Sequence, residues 1–258
     1  MGMKQKLKKF FPWPLRYIYR KLHALPEDFP TLAAFLFKPT VFPLSFLDRL
    51  RLVYKCYRVS FSVDCPHMES EILQVMQAIF ATNATTKGVI VEAGSFKGGS
   101  TAKLSAAAHL SGRKFVVFDS FEGIPEHNEK HTKNIFGGDA YFPPGSYAGS
   151  LNEVKTAVKR FGVLPVCEFK KGWFEDTMPA FKEPVIAAYV DVDLESSTKT
   201  CLEYLYPLLV KGGVLFSQDG HLPWVIDLIN DKKLWQHIGG EKPTIIGLGK
   251  KKLVLIKK

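Results

Sequence analysis

The chain has 258 residues, 46% hydrophobic and 23% charged, with a formal net charge of +10. That composition fits one large α/β domain plus some additional structure and excludes a disordered or fibrous chain; no run of about 18 apolar residues is present, so no transmembrane helix is expected. Residues 1–60 carry 12 Lys/Arg against 3 Asp/Glu and the remainder 23 against 22, which disfavours a basic nucleic-acid-binding face on the core.

Residues 1–60 read as a basic, aromatic-rich helical appendage, and 61–258 as the α/β domain. Within residues 1–21, Lys4, Lys6, Lys8, Lys9, Arg16, Arg20 and Lys21 interleave with Phe10, Phe11, Trp13, Tyr17 and Tyr19. Such a stretch suits peripheral contact with an anionic membrane surface, or an arm laid on the core or on a second copy in a homo-oligomer. Its apolar part is short and broken by Pro12 and Pro14, unlike a signal peptide. Cys56, Cys65, Cys167 and Cys201 form no CxxC pair and no zinc spacing. Reduced thiols and a cytoplasmic location are expected, with membrane association as the variant that residues 1–21 introduce.

Ile72, Val75, Met76, Ile79 and Phe80 recur at helical spacing, with Asp64 as the expected cap and Pro66 in the expected first turn. Short apolar runs then alternate with helices, the signature of a parallel sheet. The runs are Val89–Glu92, Lys114–Asp119, Val166–Phe169, Ala187–Asp191 and Val214–Ser217. Helices are expected from about Gly98 to Leu110, after the Ser150/Glu153 capping box as far as Gly162, around Leu202–Leu209, and from about Pro223 to His237. Strands Thr244–Leu248 and Lys252–Ile256, joined by Gly249-Lys250-Lys251, predict a C-terminal antiparallel hairpin and seven strands in all.

In open α/β sheets, ligands sit beyond the carboxyl ends of the strands. Glu92, Asp119, Asp191 and Asp219 each follow an apolar run there. After Glu92, glycines 94, 98 and 99 let a ligand approach the backbone, and the helix behind Gly99 and Ser100 offers free N–H groups to an anion. The spacing G-x3-G-G is not the dinucleotide G-x-G-x-x-G. Asp119, about 25 residues on, stands where an acid accepts two ribose hydroxyls. The loop 123–149, with Phe136, Tyr141, Phe142 and Tyr147, is long enough to be a substrate lid. His127 and His131 lie four apart within it, as metal ligands or as solvated loop residues.

Four stretches resemble the macrocin O-methyltransferase family. They are Val91-Glu-Ala-Gly-Ser-Phe-Lys-Gly-Gly-Ser100, Phe118-Asp-Ser-Phe-Glu-Gly-Ile-Pro125, Gly172-Trp-Phe-Glu-Asp-Thr-Met-Pro179, and Asp191-Val-Asp-Leu-Glu-Ser-Ser-Thr198 continuing to Gly212-Gly213. The likeness covers about residues 88–220. It implies a Rossmann-like class I methyltransferase sheet with helices on both faces, making 61–258 a methyltransferase domain. It implies S-adenosylmethionine as cofactor and methyl transfer to a hydroxyl of a small molecule, often a sugar of a natural product. Carried over, Glu92, Gly94 and Ser95 flank the methionine end, with Gly99, Ser100 and Asp191 on the same cofactor. Asp119 holds the ribose, Ser120 and Phe121 border the adenosine, and Gly172 and Trp173 lie by the adenine.

Related enzymes hold Mg²⁺ on carboxylates after the fourth and fifth strands, which assigns Asp191 and Asp219 as metal ligands and catalytic residues. This chain has Gln218-Asp219 where the family places two adjacent acids, so one carboxylate is missing and Gln218 offers only a carbonyl oxygen. His221 is a candidate general base on the acceptor hydroxyl. Two rivals remain: a catalytically impaired cofactor-binding scaffold, motivated by Gln218, and a glycosyltransferase using the D-x-D of Asp191 and Asp193.

Overall fold

The computed structural model describes residues 17–18, 28–130 and 133–258. The expectations for residues 1–21 therefore lie outside the described residues, apart from Tyr17 and Ile18. A helical stretch over 28–37 leads to α1 (Phe46–Ser62), α2 (Glu69–Ala81), β1 (Val89–Ala93), α3 (Gly99–Leu110) and β2 (Phe115–Asp119). Then follow α4 (Leu151–Phe161), β3 (Cys167–Lys171), α5 (Phe174–Thr177), β4 (Val185–Val190) and α6 (Glu195–Leu205). The chain closes with β5 (Leu209–Ser217), α7 (Pro223–Asn230), α8 (Lys232–Ile238), β6 (Thr244–Ile246) and β7 (Val254–Lys257).

The seven strands form one sheet in the order β3-β2-β1-β4-β5-β7-β6, with β1 to β5 parallel and β7 antiparallel to both its neighbours. This is the expected class I architecture. Alternate residues serve opposite faces. Val89, Val91, Val116, Phe118, Ala188 and Val190 pack with the apolar sides of α6, α7 and α8. Ile90, Phe115, Val117, Ala187 and Tyr189 pack with α1, α2 and α3. Strand order reverses between β1 and β4, and the crevice at that switch point is where the cavity opens.

Four local expectations are corrected. Asp64 does not cap α2: its carboxylate pairs with Lys97 at 3.8 Å, and Pro66 precedes the helix. The cap is Met68, whose N–H donates to Glu71 Oε2 at 2.6 Å. The helix expected over 223–237 is two, because the Asp231 side chain accepts from Lys233 N–H and starts a second one. The C-terminal strands are shorter than expected, so seven residues, 247–253, join β6 to β7. Gly212 and Gly213 lie inside β5. The Ser150/Glu153 capping box forms as expected. Helix α1 runs through residue 60. All four cysteines are free, and no helix among the described residues is long and apolar enough to cross a membrane.

The segment that launches β1 hangs on one side chain. Arg113 donates through Nη1 to Thr86 O (2.7 Å) and Gly88 O (3.1 Å), and through Nη2 to Asn83 O (2.9 Å). Only the planar guanidinium fork can reach three carbonyls at once. Replacing Arg113 with Lys is expected to cost about 1 kcal/mol in urea unfolding, because part-buried carbonyls lose donors.

Candidate functional site

A cavity of 510 Å³ lies over the carboxyl ends of the parallel strands. Its floor begins where β1 ends. Gly94, at φ 86°, turns so tightly against β4 that a Cβ would lie 2.0 Å from Asp191 O. Gly98, also left-handed at φ 80°, caps α3 and turns Gly99 and Ser100 into the cavity wall at the start of that helix.

Asp119 ends β2 beneath this turn. Its Oδ2 accepts from Ser95 N–H (2.6 Å) and Ser95 Oγ (2.8 Å), and its Oδ1 from Phe121 N–H (2.6 Å). Burial raises its pKa and these donors counter the rise. Oδ1 keeps a lone pair for a ligand hydroxyl, and Oδ2 gains one when the Ser95 hydroxyl turns away. Gly172 N–H donates to Asp119 O at 3.0 Å, which brings Trp173 to the same wall.

Most of the predicted cofactor residues converge on the cavity: Gly94, Ser95, Gly99, Ser100, Asp119, Ser120, Gly172, Trp173 and Asp191. Glu92 and Phe121 stand behind it. Glu92 is fully buried, accepts from Thr101 Oγ1 at 2.6 Å, and leaves Oε1 without a partner. Phe121, at φ 61°, packs its ring with Phe169 and Val154.

At the other end of the cavity, Asp191, Asp193 and Asp219 each bring a carboxylate oxygen within 4.8 Å of the others. Asp219 is held by Val192 N–H and Asp193 N–H, both at 3.0 Å from its Oδ2. Asp193 takes a left-handed φ of 61°, a strained conformation for a residue with a side chain. Trp224 Nε1 steadies it by donating to Asp193 O at 2.8 Å. Burial, and after it the neighbouring acids, push Asp191 and Asp193 well above the ordinary carboxylate range; burial raises Asp219 to about 6. A hard, oxygen-only donor set with too much negative charge to stay ionised alone fits a divalent cation. Gln218 Oε1 instead lies 3.4 Å from the Tyr189 hydroxyl, which also lies 3.3 Å from Asp191 Oδ2.

Sequence reasoning missed Asp193 as a member of this cluster. Strand alternation would turn residue 193 the same way as Asp191 only if the strand continued. It ends at Val190, so the D-x-D spacing alone carried the signal.

His221 lines the cavity with Nδ1 unpartnered among the described residues, and burial, followed by Lys252, lowers its pKa to about 4. Its ring stacks on Phe136 at 6.0 Å, and its carbonyl accepts from Ile135 N–H. Segment 123–149 thus forms the roof. Glu129 pins it by accepting from Glu195 N–H, Ser196 N–H and Ser196 Oγ at the start of α6. His127 Nε2 donates to Phe142 O at 2.8 Å while its Nδ1 accepts from Glu129 N–H, so both ring nitrogens serve the loop. His131 lies outside the described residues.

The macrocin-O-methyltransferase (TylF) family model matches residues 68–239. Among characterised proteins, the 8-demethyl-8-(2,3-dimethoxy-alpha-L-rhamnosyl)-tetracenomycin-C 4'-O-methyltransferase of Streptomyces olivaceus is 32% identical over 149 residues, covering 56% of this chain and 57% of that protein. The mycinamicin III 3''-O-methyltransferase of Micromonospora griseorubida is 29% identical over 146 residues, covering 53% and 56%. The chain thus spans about half the length of the curated relatives it matches. In fold it is similar to the O-methyltransferase NovP (TM-score 0.61, 23% identity, 74% of this chain and 82% of that one). It is also similar to the calicheamicin methyltransferase CalS11 (TM-score 0.58, 19% identity, 90% and 91%).

Glu92 supplies a test of the electrostatics. Burial pushes its carboxyl up to about 8. The unfolded chain ionises this group near its ordinary value of 4.5, so it releases its proton before the folded protein does. Stability therefore falls as pH rises from about 4.5 to 8. Glu92→Gln carries no charge to bury. Its melting temperature is expected to gain on the wild type across that window, by the equivalent of roughly 2–5 kcal/mol at pH 8.

Proposed function

The chain belongs to the macrocin-O-methyltransferase family, and on that premise we propose that it is an S-adenosylmethionine-dependent enzyme that moves a methyl group to a hydroxyl of a small-molecule glycoside. One observation carries this reading. A glycine-rich turn, an acid at the end of β2 and a three-carboxylate cluster meet in a single cavity.

The residues present fit the cofactor. The turn at Gly94 leaves no room for a side chain, and the start of α3 offers backbone N–H groups to a methionine carboxylate. Asp119 holds the ribose hydroxyls from a position that Ser95 and Phe121 N–H groups set. Ser120 borders the adenosine, and Gly172 and Trp173 border the adenine. Glu92 and Phe121 act from behind, bracing α3 and the Asp119 turn. When bound, S-adenosylmethionine supplies a methyl group made electrophilic by its sulfonium.

Asp191, Asp193 and Asp219 would hold Mg²⁺, whose chemistry is to orient a bound hydroxyl and lower its pKa. With a pKa near 4, His221 stays neutral at pH 7. From the cavity wall its neutral ring orients the acceptor hydroxyl, while the low basicity makes it a poor proton store. Tyr141, Phe142 and Tyr147 give the roof aromatic faces beside these carboxylates, a pairing that suits the apolar face and hydroxyls of a sugar. The glycoside class is supported by the rhamnosyl substrate in the name of the Streptomyces olivaceus relative. The impaired-scaffold reading took its motive from the missing acid at 218; Asp193 supplies a third carboxylate from another loop.

Calorimetry with S-adenosylhomocysteine tests the cofactor half. Binding to the wild type is expected, with a loss of about 30- to 100-fold in Asp119→Ala, the size of two charge-assisted hydrogen bonds. A wild type that binds no S-adenosylhomocysteine defeats the proposal. Methyl transfer over a panel of glycosides and phenols tests the acceptor class. For the metal half, Asp193→Asn is expected to lower kcat by about 100-fold while leaving S-adenosylhomocysteine affinity unchanged. Activity that is indifferent to EDTA removes the cation from the mechanism.

A further inference from the structure

Eight of the fourteen exposed large hydrophobic side chains among the described residues fall between residues 29 and 61. Phe37, Leu47 and Tyr54 are 73%, 62% and 66% exposed, and Phe29, Phe46 and Leu50 join them. They form one face. On α1, Leu47, Leu50 and Tyr54 fall at i, i+3 and i+7, a single helical stripe, whereas Leu52, Cys56 and Val59 on the opposite stripe are buried against the core. The Phe37 ring stacks on Phe46 at 5.9 Å, which joins the helical stretch 28–37 to the first turn of α1. Contiguous apolar surface of this kind marks an interaction site.

The charge around the face selects the partner. Residues 29–63 contain five Lys/Arg and one acid, Asp48. Lys38, Arg51 and Arg58 are exposed on or beside the stripe, and Asp48 is bonded to Arg51 at 3.3 Å. The preceding 28 residues add seven Lys/Arg against two acids. A two-fold contact with a second copy would press this positive face against itself, which costs free energy. An anionic bilayer surface complements both properties: the rings and leucines enter the interface while the cations meet the headgroups.

We propose that the face formed by residues 28–37 and the outer stripe of α1 is a docking surface for anionic phospholipid membranes. It sits close to the cavity, because α1 ends at Ser62 and Asp64, Cys65, Pro66 and His67 then line the cavity wall. The enzyme therefore rests on the bilayer through the element that leads into its site. The proposal does not depend on which reaction the cavity performs.

The test is co-sedimentation of the full chain with phosphatidylcholine vesicles and with vesicles in which phosphatidylserine replaces about a third of the lipid. Binding is expected to the anionic vesicles, to be weak with the neutral ones, and to fade above about 0.5 M salt. Leu47→Glu with Tyr54→Glu is expected to lower partition by about tenfold or more at an unchanged melting temperature, since both side chains are exposed. Lys38→Glu with Arg51→Glu is expected to remove the preference for phosphatidylserine. The proposal is overturned by absence of binding to anionic vesicles, or by binding that survives Leu47→Glu with Tyr54→Glu unchanged. It is equally overturned if the wild type binds no lipid and is a dimer that this pair of substitutions turns into a monomer, which would make a second copy the occupant.

Discussion

The site depends on how closely β1 and β4 approach at their carboxyl ends. Asp191 N–H donates to Ala93 O at 2.9 Å, Gly94 N–H donates to Phe118 O at 3.0 Å, and Gly94 itself lies against the Asp191 carbonyl with no room for a side chain. These contacts continue the sheet ladder one step past the strands and then release three chain segments in different directions. The turn after β1 forms the glycine-rich wall, the turn after β2 sets Asp119 under it, and the turn after β4 carries the carboxylate cluster. Because β1 lies between β2 and β4, one residue pair links the two halves of the cavity. Any side chain at position 94 would push Asp191 away from Asp219 and tilt the turn that places Ser95 on Asp119.

The second constraint is buried negative charge. Glu92, Asp119, Asp191, Asp193 and Asp219 all have raised pKa values, with burial the leading cause in each case. A fold meeting only stability would replace some of them with apolar residues. The protein instead spends its donors on them unevenly. Asp119 and Asp219 receive backbone N–H groups, which define their orientation, while Asp191 and Asp193 keep oxygens facing the cavity. Strain is concentrated in the same place, since Asp193 keeps its left-handed backbone only because Trp224 and Asp219 hold it on both sides.

The sheet was legible because its signal is repeated. Five apolar runs, four of them ending in a polar residue, admit few topologies, and the polar ends point to the crevice. Where a feature rests on one residue's conformation, the sequence was a poorer guide. Asp64 is a good cap by residue type, yet Lys97 draws it toward the cavity and Glu71 satisfies the N–H at Met68 instead. The break within 223–237 turns on Asp231, an ordinary helix residue by pattern that becomes a cap once Asn230 ends the first helix. Asp193 is the most instructive case. Its spacing from Asp191 was visible as D-x-D, but its membership in the cluster comes from a positive φ that residue type permits in aspartate without requiring it. Residue type announced the acid at 219, and only the backbone announced its third partner.

Helix α1 shows how the same physics reaches beyond the sheet. Lys103 on α3 is completely buried, and its ammonium bonds Ser60 Oγ at 2.6 Å and His67 Nε2 at 2.9 Å. A buried ammonium without those partners would be costly, so the end of α1 and the segment after it are tied to the helix that opens at the glycine-rich turn. Cys65 packs against the backbone of Gly99 from the other side, where a Cβ would come within 2.6 Å of its own. The inner stripe of α1 is thus committed to the core behind the cavity, while its outer stripe stays apolar and basic. A helix fixed so firmly on one side joins the cavity-lining segment 64–67 to the helix behind the glycine-rich turn.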